Sequence, residues 1–227
     1  MKNTFGQNVT ITLFGESHGA AVGAVLDGIA AGLPADETFI AQRLTLRRPQ
    51  LASDTARKEK DDFRILSGVK DGFTTGAPLT VIVPNEDIRS GDYEQIRNLP
   101  RPSHADYAAR IKYGGYEDYR GGGHFSGRVT AALVAAGAIL LQALENKGVI
   151  IGSHILSCGN VSDERYSLDP TSEIKNTKGK PFPVLNDNKQ EEMLAEIAAA
   201  AKKQRQYRRN RGNGNLRVAR GVGRTLV

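Results

Sequence analysis

His18, His104, His124 and His154 are the four histidines of this sequence, and the first three stand in polar, glycine-rich or proline-bearing segments. Such segments are where irregular, exposed backbone concentrates. His18 sits in Gly15-Glu16-Ser17-His18-Gly19. His104 sits in Arg101-Pro102-Ser103-His104-Ala105-Asp106-Tyr107, with an arginine before it and a carboxylate after it. His124 follows Arg120-Gly121-Gly122-Gly123 and precedes Phe125-Ser126-Gly127-Arg128. Imidazole ordinarily titrates near neutrality, so a loop histidine can give a proton to a leaving phosphate and recover it. One such histidine alone reads as a solvated loop residue. Three similar settings in one chain tilt the reading toward proton chemistry.

The glycine run before His124 adds an anion-binding signal. Consecutive glycines ahead of an apolar helix free backbone N–H groups to meet an anion, and the helix N-terminus adds favourable potential. Arg120 and Arg128 flank the run and suit phosphate geometry. On spacing alone a phosphate cradle and a turn that needs glycine dihedrals serve equally well, and both readings stand. The run has neither the Walker nor the dinucleotide-fingerprint spacing. Arg47-Arg48-Pro49 places two cations at a helix end, where complementing the helix dipole is the simpler reading. No metal site is expected: the histidines are widely separated, no His-x-x-x-His spacing occurs, and Cys158 is the only cysteine. A Ser-His-Asp nucleophile would lack the usual Gly-x-Ser-x-Gly elbow.

The elements that must position these residues follow from apolar periodicity. Residues 9–14 alternate apolar side chains with threonine, as a half-buried strand does, and 21–26 read as a second strand. Asp36 is placed to cap a helix running toward Arg47, which Pro49 stops. Strands are expected at 65–69, 79–83 and 149–155. An apolar helix is expected at 129–144 with Gly148 beyond its end, and a further helix at 191–203. Residues 167–188 read as a loop. The mixture, without a β-α-β rhythm, is α+β. Residues 1–204 read as one domain.

A chain of 227 residues with one cysteine fits a reducing cytoplasm, and its N-terminus lacks a signal-peptide pattern. The apolar stretch 131–141 is too short for a bilayer and reads as a buried helix. The net charge of +6 lies in the tail: residues 205–227 hold seven arginines and no acidic residue, and without them 24 basic residues face 25 acidic ones. That basic tail is expected to be disordered and to bind polyanions only incidentally, with no specific nucleic-acid partner.

Taken in order, these segments resemble chorismate synthase. The resemblance runs through Asn3-Thr4-Phe5-Gly6, Phe14-Gly15-Glu16-Ser17-His18-Gly19, Arg47-Arg48-Pro49, Ile65-Leu66-Ser67-Gly68-Val69, Thr74-Thr75-Gly76 and Asn85-Glu86-Asp87 with Ser90, Asp92 and Tyr93. It continues through Arg101-Pro102-Ser103-His104-Ala105-Asp106-Tyr107 and Asp118-Tyr119-Arg120-Gly121-Gly122-Gly123. It implies a β-α-β sandwich, here incomplete at the C-terminus, assembling as a homotetramer. It implies a carbon–oxygen lyase that removes phosphate from 5-enolpyruvylshikimate 3-phosphate by 1,4-anti elimination to give chorismate. Reduced FMN is required without net oxidation, and NADPH enters only as a flavin reductant. By the same resemblance His18 protonates the leaving phosphate and His104 the reduced flavin. Arg47 and Arg48, with Ser17 and Arg120, bind the substrate, and His124, Phe125, Ser126 and Arg128 contact FMN.

Three departures accompany the resemblance. Many members have Arg-Ser-Ser-Ala-Arg where this chain has His124-Phe125-Ser126-Gly127-Arg128. A further family arginine has no match between Gln50 and Ala56. Members also continue well past Gln204 with a Gly-Asp-Ser-x-Gly-Gly segment, whereas this chain reads Arg205-Gln206-Tyr207-Arg208-Arg209-Asn210-Arg211. A one-base shift in reading frame can produce that change, so a truncated or frameshifted product is expected after about residue 204. An inactive fragment that binds polyanions through its tail is the alternative.

Overall fold

The computed structural model of the chain describes residues 2–51, 60–86, 99–102 and 104–202. The basic tail, and Asp87, Ser90, Asp92, Tyr93 and Ser103 of the family resemblance, lie outside the described residues. The described chain gathers into two compact units, one of residues 2–48 and 60–143 and one of residues 49–51 and 144–202.

The first unit is built on strands β1 (Thr4–Gly6), β2 (Thr10–Gly15), β3 (Ala21–Asp27), β4 (Arg64–Ser67), β5 (Val69–Lys70), β6 (Phe73–Thr74) and β7 (Leu79–Pro84). Five of them form an antiparallel sheet in the order β1-β2-β3-β7-β4. Period-two alternation sets the register, because a one-residue slip would turn every core side chain to the other face. Ile11 pairs with Leu26 and Leu26 with Leu79, while Leu13, Ala24, Val81 and Ile65 form the next row. Val22, Ala24, Leu26, Leu79, Val81 and Val83 are fully buried.

Two helices meet the same apolar cluster. Helix α1 (Glu37–Thr45) contributes Ile40 and Leu44, and Asp36 caps it by accepting from the Thr38 and Phe39 amides at 2.8 and 3.2 Å. Helix α2 (Asp106–Tyr113) is short and two-faced, whereas α3 (Thr130–Glu145) buries Ala131, Ala132, Ala135, Ala136, Ala138 and Ile139. By composition alone Gly127–Glu145 could cross a membrane, but its small side chains are part of this core.

The strand expected at 65–69 is corrected to two pieces. Gly68 adopts φ +82°, and a Cβ there would lie 2.4 Å from the Leu79 Cα, so the chain leaves the sheet at this point. Val69–Lys70 then forms its own small hairpin with Phe73–Thr74.

The second unit holds β8 (Ser157–Cys158), β9 (Val161–Ser162), α4 (Thr171–Thr177) and α5 (Asp187–Lys202) around Cys158, Phe182, Val184 and Met193. Two expectations are corrected here. Residues 151–156 form no strand: the Ile155 amide donates to the Pro183 carbonyl at 2.7 Å, and no strand lies beside them among the described residues. The expected loop 167–188 contains α4, which starts where Asp169 accepts from the Thr171 hydroxyl at 2.7 Å and is fixed by the buried Ile174. Local capping and one buried side chain overrode the polar composition.

Candidate active site

The glycine run forms a tight turn whose three residues all have left-handed φ: +59° at Gly121, +95° at Gly122 and +54° at Gly123. L-residues with a Cβ rarely adopt this conformation. A Cβ on Gly121 would stand 2.3 Å from His18 Cε1 and 2.7 Å from Ser17 Oγ. One on Gly122 would stand 2.7 Å from His104 Cε1, and one on Gly123 would stand 2.1 Å from the Asp118 carbonyl oxygen. Two imidazoles from distant parts of the chain therefore rest against consecutive residues whose Cα atoms are about 3.8 Å apart.

His18 comes to the turn on the loop between β2 and β3, and both Ser17 and His18 are buried. The Ser17 amide donates to the Gly123 carbonyl at 3.1 Å. The Ser17 hydroxyl donates to the Arg120 carbonyl at 3.1 Å, so its oxygen can only accept from His18 Nδ1, also at 3.1 Å. That bond assigns the His18 proton to Nδ1 in the neutral ring and leaves Nε2 without one. Asp118 takes a two-pronged contact from Arg120, with Nε at 2.8 Å and Nη2 at 2.9 Å. Burial raises the Asp118 pKa, but the hydrogen bonds and charge of Arg120, helped by His18, bring the net shift below the ordinary carboxylate value.

His104 precedes α2 and is bracketed by Arg101 and Asp106. Arg101 donates to Asp106 through Nε at 2.7 Å, Nη2 at 2.9 Å and its backbone amide at 3.0 Å, while His104 Nδ1 lies 2.6 Å from Asp106 Oδ1. The Arg101 hydrogen bonds hold the Asp106 carboxyl far below the usual carboxylate range against the opposing effect of burial. Beside Gly122, a shallow surface depression is lined by Arg101, Asp106, Arg110, Asp118 and Phe125 among others.

Arg47 and Arg128 meet elsewhere. Both guanidinium groups reach the buried Asp61, Arg47 at 2.6 Å through Nη1 and Arg128 through Nη1 in a still closer contact. Arg128 also donates to Asn85 Oδ1 and the Pro84 carbonyl, each at 2.8 Å, and Arg47 Nη2 reaches the Gly127 carbonyl at 3.3 Å. Asn85 joins this cluster to the His18 loop, its amide donating to the carbonyls of Glu16 at 2.9 Å and Gly19 at 2.8 Å. Arg48 is exposed and donates to the Lys60 carbonyl.

The remaining candidates line the turn's exit. His124 Nδ1 donates to the Gly15 carbonyl at 2.9 Å, which ties the turn to the end of β2. Ser126 Oγ accepts from the Arg128 amide at 3.2 Å and caps the start of the following helix. Phe125 is 41% exposed, packs its ring against Tyr113, and alone of these residues reaches the depression. Ser17, His18, His104 and Arg120 thus converge on the glycine turn, while Arg47 and Arg128 converge on Asp61. Sequence reasoning missed Asp61, which lies in a plain charged stretch, Lys60-Asp61-Asp62, with no distinguishing signal. It also passed over Asn85, visible only as a member of a longer motif, and noted Asp106 only as the carboxylate that follows His104.

The family model for chorismate synthase matches residues 9–207 and so runs through both units. The curated chorismate synthase of Korarchaeum cryptofilum is 45% identical over 202 residues, covering 88% of this chain and 54% of that protein. That of Ignicoccus hospitalis is 47% identical over 197 residues, covering 86% and 51%, and that of Chitinophaga pinensis 44% identical over 177 residues, covering 78% and 53%. The chain spans about half the length of the curated relatives it matches. A crystal structure of chorismate synthase superimposes with a TM-score of 0.65 at 28% identity, covering 87% of this chain and 54% of that one. On the strength of the family match and these relatives, the chain belongs to the chorismate synthase family.

Proposed function

We propose that this chain carries the proton-handling part of a chorismate synthase site, acting on 5-enolpyruvylshikimate 3-phosphate to release phosphate and form chorismate by 1,4-anti elimination. The observation that carries the reading is the seating of His18 and His104 on adjacent glycines, each with Nδ1 engaged by a hydrogen-bonding partner. In such an elimination a C–O bond to phosphate breaks while a ring proton leaves, so the departing oxygen needs a proton or a cation. His18 holds that proton at Nε2, supported by the Asp118 carboxylate. Arg120 and Arg48 bring positive charge to the substrate, and Ser17 fixes the His18 ring. Arg47, turned toward Asp61, holds the cationic side of the site in register.

The residues present fit a flavin phosphate at the depression. Phe125 offers an exposed ring there, and Arg101 and Arg110 offer cations. Phe125 would hold the flat ring, with His124 and Ser126 setting the backbone beneath it. The Arg128 side chain is spent on Asp61, Asn85 and Pro84, so its part is to hold that backbone from behind. When bound, reduced FMN supplies electron density to the substrate and recovers it, which leaves no net oxidation. His104 would present Nε2 to such a flavin as its proton-exchanging group. The same reading extends to NADPH as a flavin reductant only, to a homotetramer and to a cytoplasmic setting.

Anaerobic incubation of the purified chain with 5-enolpyruvylshikimate 3-phosphate and photoreduced FMN is expected to release chorismate and phosphate in equal amounts. No phosphate above a protein-free control, with protein and substrate at equal concentration, would overturn the reading for this chain.

A further inference from the structure

Asp106 is the first residue of α2, yet its carboxylate turns back toward the loop before the helix. Oδ2 accepts from Arg101 Nε at 2.7 Å and from the Arg101 amide at 3.0 Å. Oδ1 accepts from Arg101 Nη2 at 2.9 Å and lies 2.6 Å from His104 Nδ1. Arg101 Nη2 also stands 3.3 Å from the same imidazole nitrogen. A guanidinium only donates and a carboxylate only accepts, so these two neighbours ask opposite things of Nδ1. A bare Nδ1 could accept the 3.3 Å contact but would press its lone pair against an ionised oxygen at 2.6 Å. A protonated Nδ1 forgoes the longer contact and gains a short charge-assisted bond. The shorter bond decides.

We infer that Asp106 is a positioning residue that fixes His104 with its proton on Nδ1 and presents Nε2 to the glycine turn. His104 Nε2 lies 3.0 Å from where a Cβ on Gly122 would stand. Arg101 has a supporting part, because its three donors keep Asp106 ionised and fix which oxygen faces His104. The inference rests on the proposed proton exchange at His104 for its meaning, but its geometry stands apart from any reaction.

Substitution by the amide makes the inference testable. In Asp106→Asn the carbonyl oxygen is favoured at the Oδ2 position, where two Arg101 donors converge against one at Oδ1, which turns the amide NH₂ toward Nδ1 at the expense of the Arg101 Nη2 bond. A donor there demands a bare Nδ1, so the tautomer reverses. The full chain, labelled with ¹⁵N-histidine, is read by long-range ¹H–¹⁵N correlation at a pH where the imidazoles are neutral. Wild type is expected to show His104 protonated at Nδ1, and Asp106→Asn to lose that form in favour of Nε2–H. His124, whose Nδ1 donates to Gly15, reports in the same spectrum whether the turn is intact.

A wild-type His104 protonated at Nε2 overturns the inference. So does an unchanged Nδ1–H form in Asp106→Asn with His124 unmoved. If Asp106→Asn perturbs His124, Asp106→Ala carries the test: mixed tautomers support the inference and a retained Nδ1–H form defeats it. No substrate or flavin is present, so this result and the elimination assay can fail independently.

Discussion

Two clusters of the same residue types do opposite work in the first unit. Around the glycine turn, Arg101–Asp106 and Arg120–Asp118 are arginine–carboxylate pairs that each act on an imidazole. Around Asp61, Arg47 and Arg128 neutralise one buried carboxylate, and they also donate to protein carbonyls, a threonine hydroxyl and Asn85. The first arrangement turns charge toward an imidazole, and the second turns it inward to hold chain segments together. Burial separates them: Asp61 is 5% exposed and Arg128 6%, while the side chains of Arg101 and Arg120 are 31% and 38% exposed. Charge far from water must be satisfied by protein, whereas charge at the rim remains able to serve a ligand.

The contrast is broken most severely at the imidazoles. His18→Ala and His104→Ala are each expected to lower turnover by roughly 10²–10⁴-fold, the usual worth of a positioned acid, with a smaller change in melting temperature. Wild-type rates in both variants, measured under anaerobic reduced-flavin conditions, would refute the role of the glycine-turn cluster. Asp61→Ala should act through stability instead, costing about 3–5 kcal/mol in urea unfolding because the buried Arg128 loses its carboxylate partner. Arg128→Met in that background should restore part of the loss, and purely additive effects would show that the two residues are not coupled.

Gly121→Ala sharpens the comparison at intermediate size. Its Cβ would displace the His18 ring, and misplacing a catalytic group by about 1 Å costs on the order of 10²-fold in rate. A kcat within twofold of wild type would show that the close approach is dispensable.

The smallest effect is on pH dependence. Asp106 and Asp118 have depressed pKa values in the folded state, so their contribution is present above the ordinary carboxylate range and lost as pH falls through the folded values. Acid unfolding of Asp106→Asn should therefore show a shallower loss of stability below about pH 4 than wild type. Equal slopes would contradict the pairing with Arg101.

Much of the first unit is legible from periodicity. Residues 9–14 alternate and 79–83 form an apolar run between Pro78 and Pro84, and they form β2 and β7 within one residue at each end. The apolar run after the glycines becomes α3, and Asp36 caps α1 as its position suggests. The strand expected at 149–155 has the right composition but no partner strand among the described residues, and a strand without a ladder is only extended chain. Helix α4 went unread because its signal is one cap and one buried isoleucine inside a polar stretch.

The sequence by itself determined which residues could do this chemistry. His18, His104 and Arg120 stand in short segments whose composition announces turns and charge, and the order of those segments carries the family resemblance. Whether the three glycines were a cradle or a turn was not decidable from spacing. Only the tertiary structure shows why glycine is needed at 121 and 122: two imidazoles approach there from far along the chain. The same holds for Asp61, an unremarkable acid until folding places it between Arg47 and Arg128. Periodicity and capping are local physics and are written in neighbouring residues. A buried charge's partners, and the tautomer of a histidine, are set by contacts that exist only once distant segments have closed on one another.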